Sequence, residues 1–374
     1  MKAKHVILYF LVSIIISSCI RDEALNAEAD ILSCTLPKAV MTTSPIINNN
    51  SVTLFVGPET DVSALAPDFT LTPGATISPA SGSVQNFTTP VRYTVTSEDK
   101  AWHRVYAITA REQKASNIPT TYHFEKVRIM QNVWQEFYEE QDSGNELTWA
   151  SGNKGFKWAM SEAATEDYPT TQIDNGKTGK CVKLETRLTG DLGNMVGMPI
   201  AAGNLFIGSF DMLNAITNPL SATRFGTPFY NKPLRLTGYY KYKAGEQFYE
   251  NGEYTSRKDI FNIYAIFYDG VKYDSAGKGT DVTLDGNLPN QNYEHSSMVA
   301  LALVSNPQET EGDEWKFFDI PFDYQRYGKK IDEARLAKGE YKIGIIFASS
   351  KDGATFEGAP GSTLLIDEVE LIYE

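Results

Sequence analysis

The sequence predicts an all-β protein: a small β-sandwich near the N-terminus, then a larger sandwich filling the rest of the chain. Two observations carry this. Short β-branched and aromatic runs alternate with turn residues from Ile31 to Glu112, the spacing of a small sandwich. Residues 121–374 continue with strand candidates and almost no helical period, a length that suits one large β domain. Composition agrees, with 20 Tyr and 19 Phe against 3 Cys and 4 His.

Taken in order, the chain opens with Lys2 and Lys4, the apolar stretch from Val6 to Ile16, and then Ser17-Ser18-Cys19. A basic start, a short apolar segment and small residues before a cut describe an export signal. A permanent span would need roughly 20 apolar residues. The run resembles the lipobox of bacterial lipoproteins, which implies removal of residues 1–18 and acylation of Cys19. An ordinary cleaved signal with an incidental cysteine is the rival. Residues 19–30 read as an acidic tether, with Asp22, Glu23, Glu28 and Asp30 against Arg21. That run resembles the surface-export tag of lipoproteins in gut glycan-degrading bacteria, implying an outer-membrane protein facing the cell exterior; a hydrophilic spacer is the plainer alternative.

The chain carries 34 basic and 47 acidic side chains, a formal −13, and loss of residues 1–18 removes Lys2 and Lys4 to leave −15. This balance disfavours nucleic acid, which needs a basic face, and disfavours electrostatic docking on anionic lipid. Membrane contact then falls to the lipid anchor alone. Cys34 and Cys181 lie in different predicted domains, so two unpaired buried thiols are expected, although export would permit a disulfide. His103, His123 and His295 have no partner at ligand spacing, which argues against zinc.

In the small domain, 31–112, strands are expected at Val52–Val56, Phe69–Leu71, Val91–Thr96 and Val105–Ala110, the last two as a hairpin. Ala75–Gly82 with Asn86-Phe87 resembles the Ig-like modules that precede ligand domains in such lipoproteins, which implies a spacer role. Residues 113–120, with Asn117-Ile118-Pro119, form a linker candidate. In the large domain, 121–374, strands are expected at Leu234–Lys243, Ile260–Tyr268, Met298–Val304, Lys316–Ile320, Lys342–Ala348 and Leu364–Tyr373. Val133–Glu140 is the helical-looking stretch, and 331–338 could add a turn or two. Several connections exceed the usual loop length, which marks them for function.

Two strands carry candidate chemistry. Alternation along Ile260–Tyr268 puts Phe261, Ile263, Ala265 and Phe267 on one face, for the core, and Asn262, Tyr264, Ile266 and Tyr268 on the other. Leu234–Lys243 likewise separates Tyr239 and Lys241 from Tyr240 and Tyr242. Aromatic faces and amide or charged groups suit sugar rings and hydroxyls, whereas a half-buried β surface accounts for tyrosines without ligand. Of the larger rings Trp134, Trp149, Trp158 and Trp315, Trp149 lies in turn-rich sequence and reads as loop-exposed. The acidic, glycine-rich stretch holding Asp269, Asp274, Asp281 and Asp285 reads as a flexible insertion.

Catalytic signatures fail. There is no Gly-x-Ser-x-Gly elbow. Asn175-Gly176-Lys177-Thr178 contains Gly-Lys-Thr, but Thr171 stands where a phosphate loop needs its first glycine. Carboxylate pairs could hydrolyse glycosides, yet 47 acidic residues nominate no pair.

Five separate stretches carry a family resemblance: Gly226–Phe229, Gly238–Lys243, Asp259–Tyr264, Ala348–Gly353 and Gly358–Val369. Over 121–374 the chain resembles the putative carbohydrate metabolism domain family of secreted bacterial lipoproteins. The resemblance implies a jelly-roll sandwich behind an Ig-like module, in a glycan-utilisation or surface context, and brings no catalytic residue set. Glu125 and Asp367 are also similarly placed to the early Glu and last-strand Asp of jelly-roll carbohydrate-binding modules. That likeness implies a structural calcium, whose hard oxygen ligands they could supply; a salt bridge or turn cap accounts for the same pair.

The resulting expectation is a surface lipoprotein that binds an oligo- or polysaccharide through Tyr239, Lys241, Asn262, Tyr264, Tyr268 and Trp149. Its rivals are a glycoside-processing enzyme with an unrecognised carboxylate pair, and a structural or adhesive subunit with surface protein partners.

Overall fold

The computed structural model describes residues 25–37, 40–57, 60–112, 118–140 and 146–374. Cys19, the first part of the tether and most of the linker lie outside the described residues. The chain divides into two compact units, Met1–Gln113 and Lys114–Glu374.

The first unit is all-β. Its strands are β1 (Ile31–Thr35), β2 (Met41–Asn48), β3 (Ser51–Val56), β4 (Asp68–Leu71), β5 (Thr76–Ser78), β6 (Val91–Thr96) and β7 (His103–Glu112). A five-stranded sheet runs β2-β3-β7-β6-β5, and β1 pairs with β4 in a second, two-stranded sheet. The expected β6–β7 hairpin is antiparallel, while β3 lies parallel to β7. Val52, Leu54, Tyr93, Val95, Tyr106 and Ile108, alternate residues of three strands, fill its core. Residues 26–30, read from sequence as tether, instead lie against this unit. Ala29 is buried, Asp30 pairs with Arg104, and the Tyr106 hydroxyl donates to Asp30 at 3.2 Å. A small side chain at Ala29 and a matched charge at Asp30 let these residues dock.

The second unit is a two-sheet sandwich. Its principal strands are β8 (Thr121–Tyr122), β9 (Thr170–Asp174), β10 (Lys180–Glu185), β11 (Asn204–Phe206), β12 (Thr227–Phe229) and β13 (Pro233–Lys243). They continue with β14 (Asn262–Asp269), β15 (Met298–Leu303), β16 (Lys316–Pro321), β17 (Tyr341–Ala348) and β18 (Thr363–Tyr373). The six-stranded sheet runs β9-β10-β18-β13-β16, with β8 on β18; the five-stranded sheet runs β11-β17-β14-β15, with β12 on β17. Leu236, Tyr240 and Ile366 from the first meet Ile263, Phe267, Ile345 and Phe347 from the second in one core. All six expected strands of this domain form within two residues of their predicted ends.

Some expectations change. Trp134–Glu140 is a strand, not a helix: Trp134, Phe137 and Glu139 are buried, and the aromatic residues there favour a sheet. Helices form instead at α1 (Asn153–Ala159), α2 (Gly190–Met195) and α3 (Met212–Thr217), while the turn expected within 331–338 forms as α4 (Glu333–Leu336). The acidic stretch 269–285 is pinned rather than loose. Arg335 takes both carboxylate oxygens of Asp269 at 2.8 and 2.6 Å, Lys342 reaches Asp281 at 2.7 Å, and Ser221 donates to Asp285 at 2.9 Å. Residues 118–120 belong to the large unit, where Ile118 joins the core and the Thr120 carbonyl accepts from Leu371. Cys34 and Cys181 are free and buried, as expected, and burial pushes each thiol up to about 12.

Candidate functional site

The outer face of the five-stranded sheet is where sequence placed Asn262, Tyr264 and Tyr268. In the fold this face is not open. Loops after β11 and β14 cross it and form a second apolar layer, in which Phe225, Leu284, Leu288 and Tyr293 cluster with Phe206, Tyr264, Ile266 and Tyr268 of the sheet. Tyr268 is sealed, its hydroxyl donating to the Phe225 carbonyl at 2.6 Å. The cover is incomplete. Between the sheet and its roof lies a cavity of about 170 Å3, with Asn262 and Tyr264 in its wall.

Each wall has a local cause. Asn262 and Tyr264 point the same way because strand side chains repeat every second residue. The Asn262 amide donates to the Tyr293 hydroxyl at 2.8 Å, and the Tyr264 ring meets Tyr293 edge-on with centroids 5.2 Å apart. Phe206 and Phe225 meet edge-on at 5.3 Å. Three short helices contribute roof and rim: α1 through Phe156 and Trp158, α2 through Gly193, with Val196 just after it, and α3 through Met212 and Ala215. Asp211 caps α3 by accepting from Leu213 N–H at 3.0 Å. Gly353 closes one side, where a Cβ would stand 2.3 Å from the Ala202 side chain.

Behind the cavity, motif residues form a buried polar hub. Asp259 accepts from the Ser350 hydroxyl at 2.6 Å, the Ser362 hydroxyl at 2.7 Å and Ala359 N–H at 2.8 Å on one oxygen, and from Ile260 N–H at 2.8 Å on the other. Ser350 continues to Thr186 at 2.5 Å, and Thr186 to Ser349 at 2.8 Å. Burial raises the Asp259 carboxyl against these four donors. The hub joins the end of β10, the start of β14, the end of β17 and the start of β18, so the quoted family stretches Asp259–Tyr264, Ala348–Gly353 and Gly358–Val369 meet in space. Their first role is architectural: they hold the cavity floor, to which Asn262, Ala348 and Ser350 contribute.

The remaining predicted site residues fall elsewhere. Trp149 is not loop-exposed; it is 1% exposed, packed among Tyr122, Phe124 and Phe347. Trp158, half a helix further on, is the tryptophan that reaches the cavity. Tyr239 and Lys241 sit on the outer face of the other sheet, where Lys177 lies over the Tyr239 ring and Lys241 lies over Trp315 and pairs with Asp313. The six predicted glycan residues therefore occupy three places, and only Asn262 and Tyr264 line the cavity.

Glu125 and Asp367 do converge, on the turn 176–180. Asp367 accepts from Thr178 N–H at 3.0 Å and Glu368 N–H at 2.9 Å; Glu125 accepts from Lys180 N–H at 2.8 Å. Gly179, at φ +61°, is required there, since a Cβ would stand 2.1 Å from Glu125. The Gly-Lys-Thr run is thus a capped turn. Backbone N–H groups thus take up part of both carboxylates, and among the described residues no group of three or more His, Cys, Asp or Glu is placed to hold a metal. Burial pushes the Asp367 carboxyl up to about 6.

Fold and cavity define a class: a two-unit all-β protein whose larger sandwich carries a roofed ligand-sized pocket on one sheet. The family model described as "Putative carbohydrate metabolism domain" matches residues 123–372, and one described as "SGBP, N-terminal" matches 31–110. The chain belongs to the putative carbohydrate metabolism domain family. A crystal structure described as a putative glycoside hydrolase from Bacteroides thetaiotaomicron is 50% identical, covers 95% of this chain and 99% of its own, and superposes with a TM-score of 0.62. Another so described, from Bacteroides vulgatus, is 50% identical over 70% of this chain and 100% of its own, with a TM-score of 0.64. No curated protein matches the chain.

Proposed function

We propose that this protein is a cell-surface lipoprotein, anchored through Cys19, that holds a glycan by one end in the cavity above the five-stranded sheet. The observation that carries the reading is the cavity itself: an aromatic-walled space on a sheet face, with an amide and a phenol from adjacent outward positions of β14. Concave, mostly apolar sites with a few placed polar groups are the usual form of a small-ligand pocket. A space of about 170 Å3 admits one ring, since a cavity of about 150 Å3 takes benzene. The glycan therefore enters by a terminus rather than lying across the sheet. The carbohydrate-related family and the N-terminal match support the context.

Binding is favoured over cleavage. Hydrolysis commonly uses two carboxylates roughly 5–10 Å apart around the scissile bond, and the residues lining the cavity include no Asp or Glu. Asp259, the nearest buried acid behind the floor, has both oxygens engaged by four donors. Filling the space tests the site. Ala354→Trp, from the half-exposed rim, should abolish retention on a glycan array with the melting temperature within a few degrees of wild type. Ala215→Phe supplies a second block from the roof. Retention of the same glycans by both folded variants would place binding elsewhere, and released sugar in the array eluate would restore the enzyme reading.

A further inference from the structure

We infer that the pocket selects a sugar terminus with apolar substitution, a 6-deoxy, O-methyl or O-acyl residue, over a fully hydroxylated one. This rests on the glycan reading above and specifies its ligand class. The argument is an inventory of hydrogen-bonding groups in the wall.

Most polar side chains there are engaged by the protein. Asn204 accepts from Gly152 N–H at 2.8 Å and donates to the Ala202 carbonyl at 3.2 Å. The Thr189 hydroxyl donates to the Met198 carbonyl. Ser350 is held by Asp259 and Thr186. The Asn262 amide donates to Tyr293. In contrast, the buried Thr223 hydroxyl has no partner among the described residues. That leaves Thr223, the outer edges of Asn262 and Tyr264, and Lys351 at the mouth. The rest of the wall is Phe156, Phe206, Phe210, Phe225, Ile200, Ile346 and similar apolar surface.

An unsubstituted hexose ring would bring more hydroxyls than this wall can answer, and a buried hydroxyl without a partner is costly. A methyl or acyl group in place of a hydroxyl removes that cost and gains contact with the aromatic wall. The lip continues the same chemistry outward: Trp158, Val196 and, on the adjoining helices, Leu192, Met195 and Leu213 are exposed. An apolar rim around a polar-poor pocket suits a substituted sugar and is wasted on a bare one.

Matched pairs decide it. Full-length protein would be titrated calorimetrically with methyl α-L-fucoside against methyl α-L-galactoside, and methyl α-L-rhamnoside against methyl α-L-mannoside. Each pair differs only at the C6 hydroxyl. At least one deoxy member should bind about tenfold or more tighter than its partner, within the range a hydrophobic pocket can discriminate, and Ala354→Trp should erase that binding. Equal binding within both pairs, erased by Ala354→Trp, would overturn the selectivity while leaving the pocket in place. No binding by any of the four would also overturn it. Binding that survives Ala354→Trp in a folded variant would sink the pocket reading itself.

Discussion

Asp367 shows how one side chain's surroundings set a measurable pH response. Folded, it keeps its proton to about pH 6 because burial disfavours the charge; in the unfolded chain it releases it near about 3.9. Between those values the folded state binds more protons, so stability falls as pH rises through the window. The loss, about 1–3 kcal/mol for a shift of this size, is complete above pH 6. Asp367→Asn keeps an acceptor for Thr178 and cannot ionise. Its melting temperature relative to wild type should therefore climb between pH 4 and pH 7 and then level off; a flat difference across that range would show that Asp367 ionises normally. At this scale the sequence was partly readable. Strict alternation along β14 assigned Phe261, Ile263, Ala265 and Phe267 to the core, where all are buried, and put Asn262 and Tyr264 together on the face that became the cavity. Periodicity reports which face a residue shares, but not what later crosses that face. Hence Tyr268 read as open and is sealed, and Trp149 read as exposed because turn residues flank it, although its indole packs into the core.

The elements follow the same division. Long strands were legible because each is a sustained run of β-branched and aromatic residues with a buried face. The short helices α1, α2 and α3 were not. Each is seven residues or fewer, too short for a 3.6-residue period to establish itself, and α1 and α2 contain glycine. Isolated helices of this length are marginal in water, so packing over the sheet holds them in place. Of the over-long connections between the expected strands, the one after β14 supplies Leu284, Leu288 and Tyr293 to the roof, whereas α1, α2 and α3 lie before the first of those strands. Asp211 gives a direct test of whether that roof matters. It holds the first turn of α3 by accepting from Leu213 N–H and from the Asn214 amide, both at 3.0 Å. Asp211→Ala should cost about 1 kcal/mol of local stability and loosen Met212 and Ala215 over the cavity. Glycan affinity should drop severalfold while the cooperative melting temperature moves little. Unchanged affinity would mean that α3 is a cover with no part in retention.

For the molecule as a whole, the proposed surface location raises the question of what would tie an acidic β protein to a membrane. Among the described residues no helix is long and apolar enough to cross one. The charge of −15 after residue 18 opposes adsorption to anionic headgroups, since such attraction comes from Lys and Arg near the surface. Among the described cations, Arg104, Arg235, Arg335 and Lys342 are each paired with carboxylates. On the reading proposed above, attachment falls to acyl chains on Cys19, and Cys19→Ala separates anchoring from holding. In fractionated cells the variant should leave the membrane pellet for the soluble fraction. Once purified, it should bind the same glycans with unchanged affinity, because the cavity is built from residues 152–356 alone. A variant that stayed with the membrane fraction at high salt would require a second, non-electrostatic contact, and the apolar lip formed by Trp158, Met195 and Leu213 would be the first place to look for it.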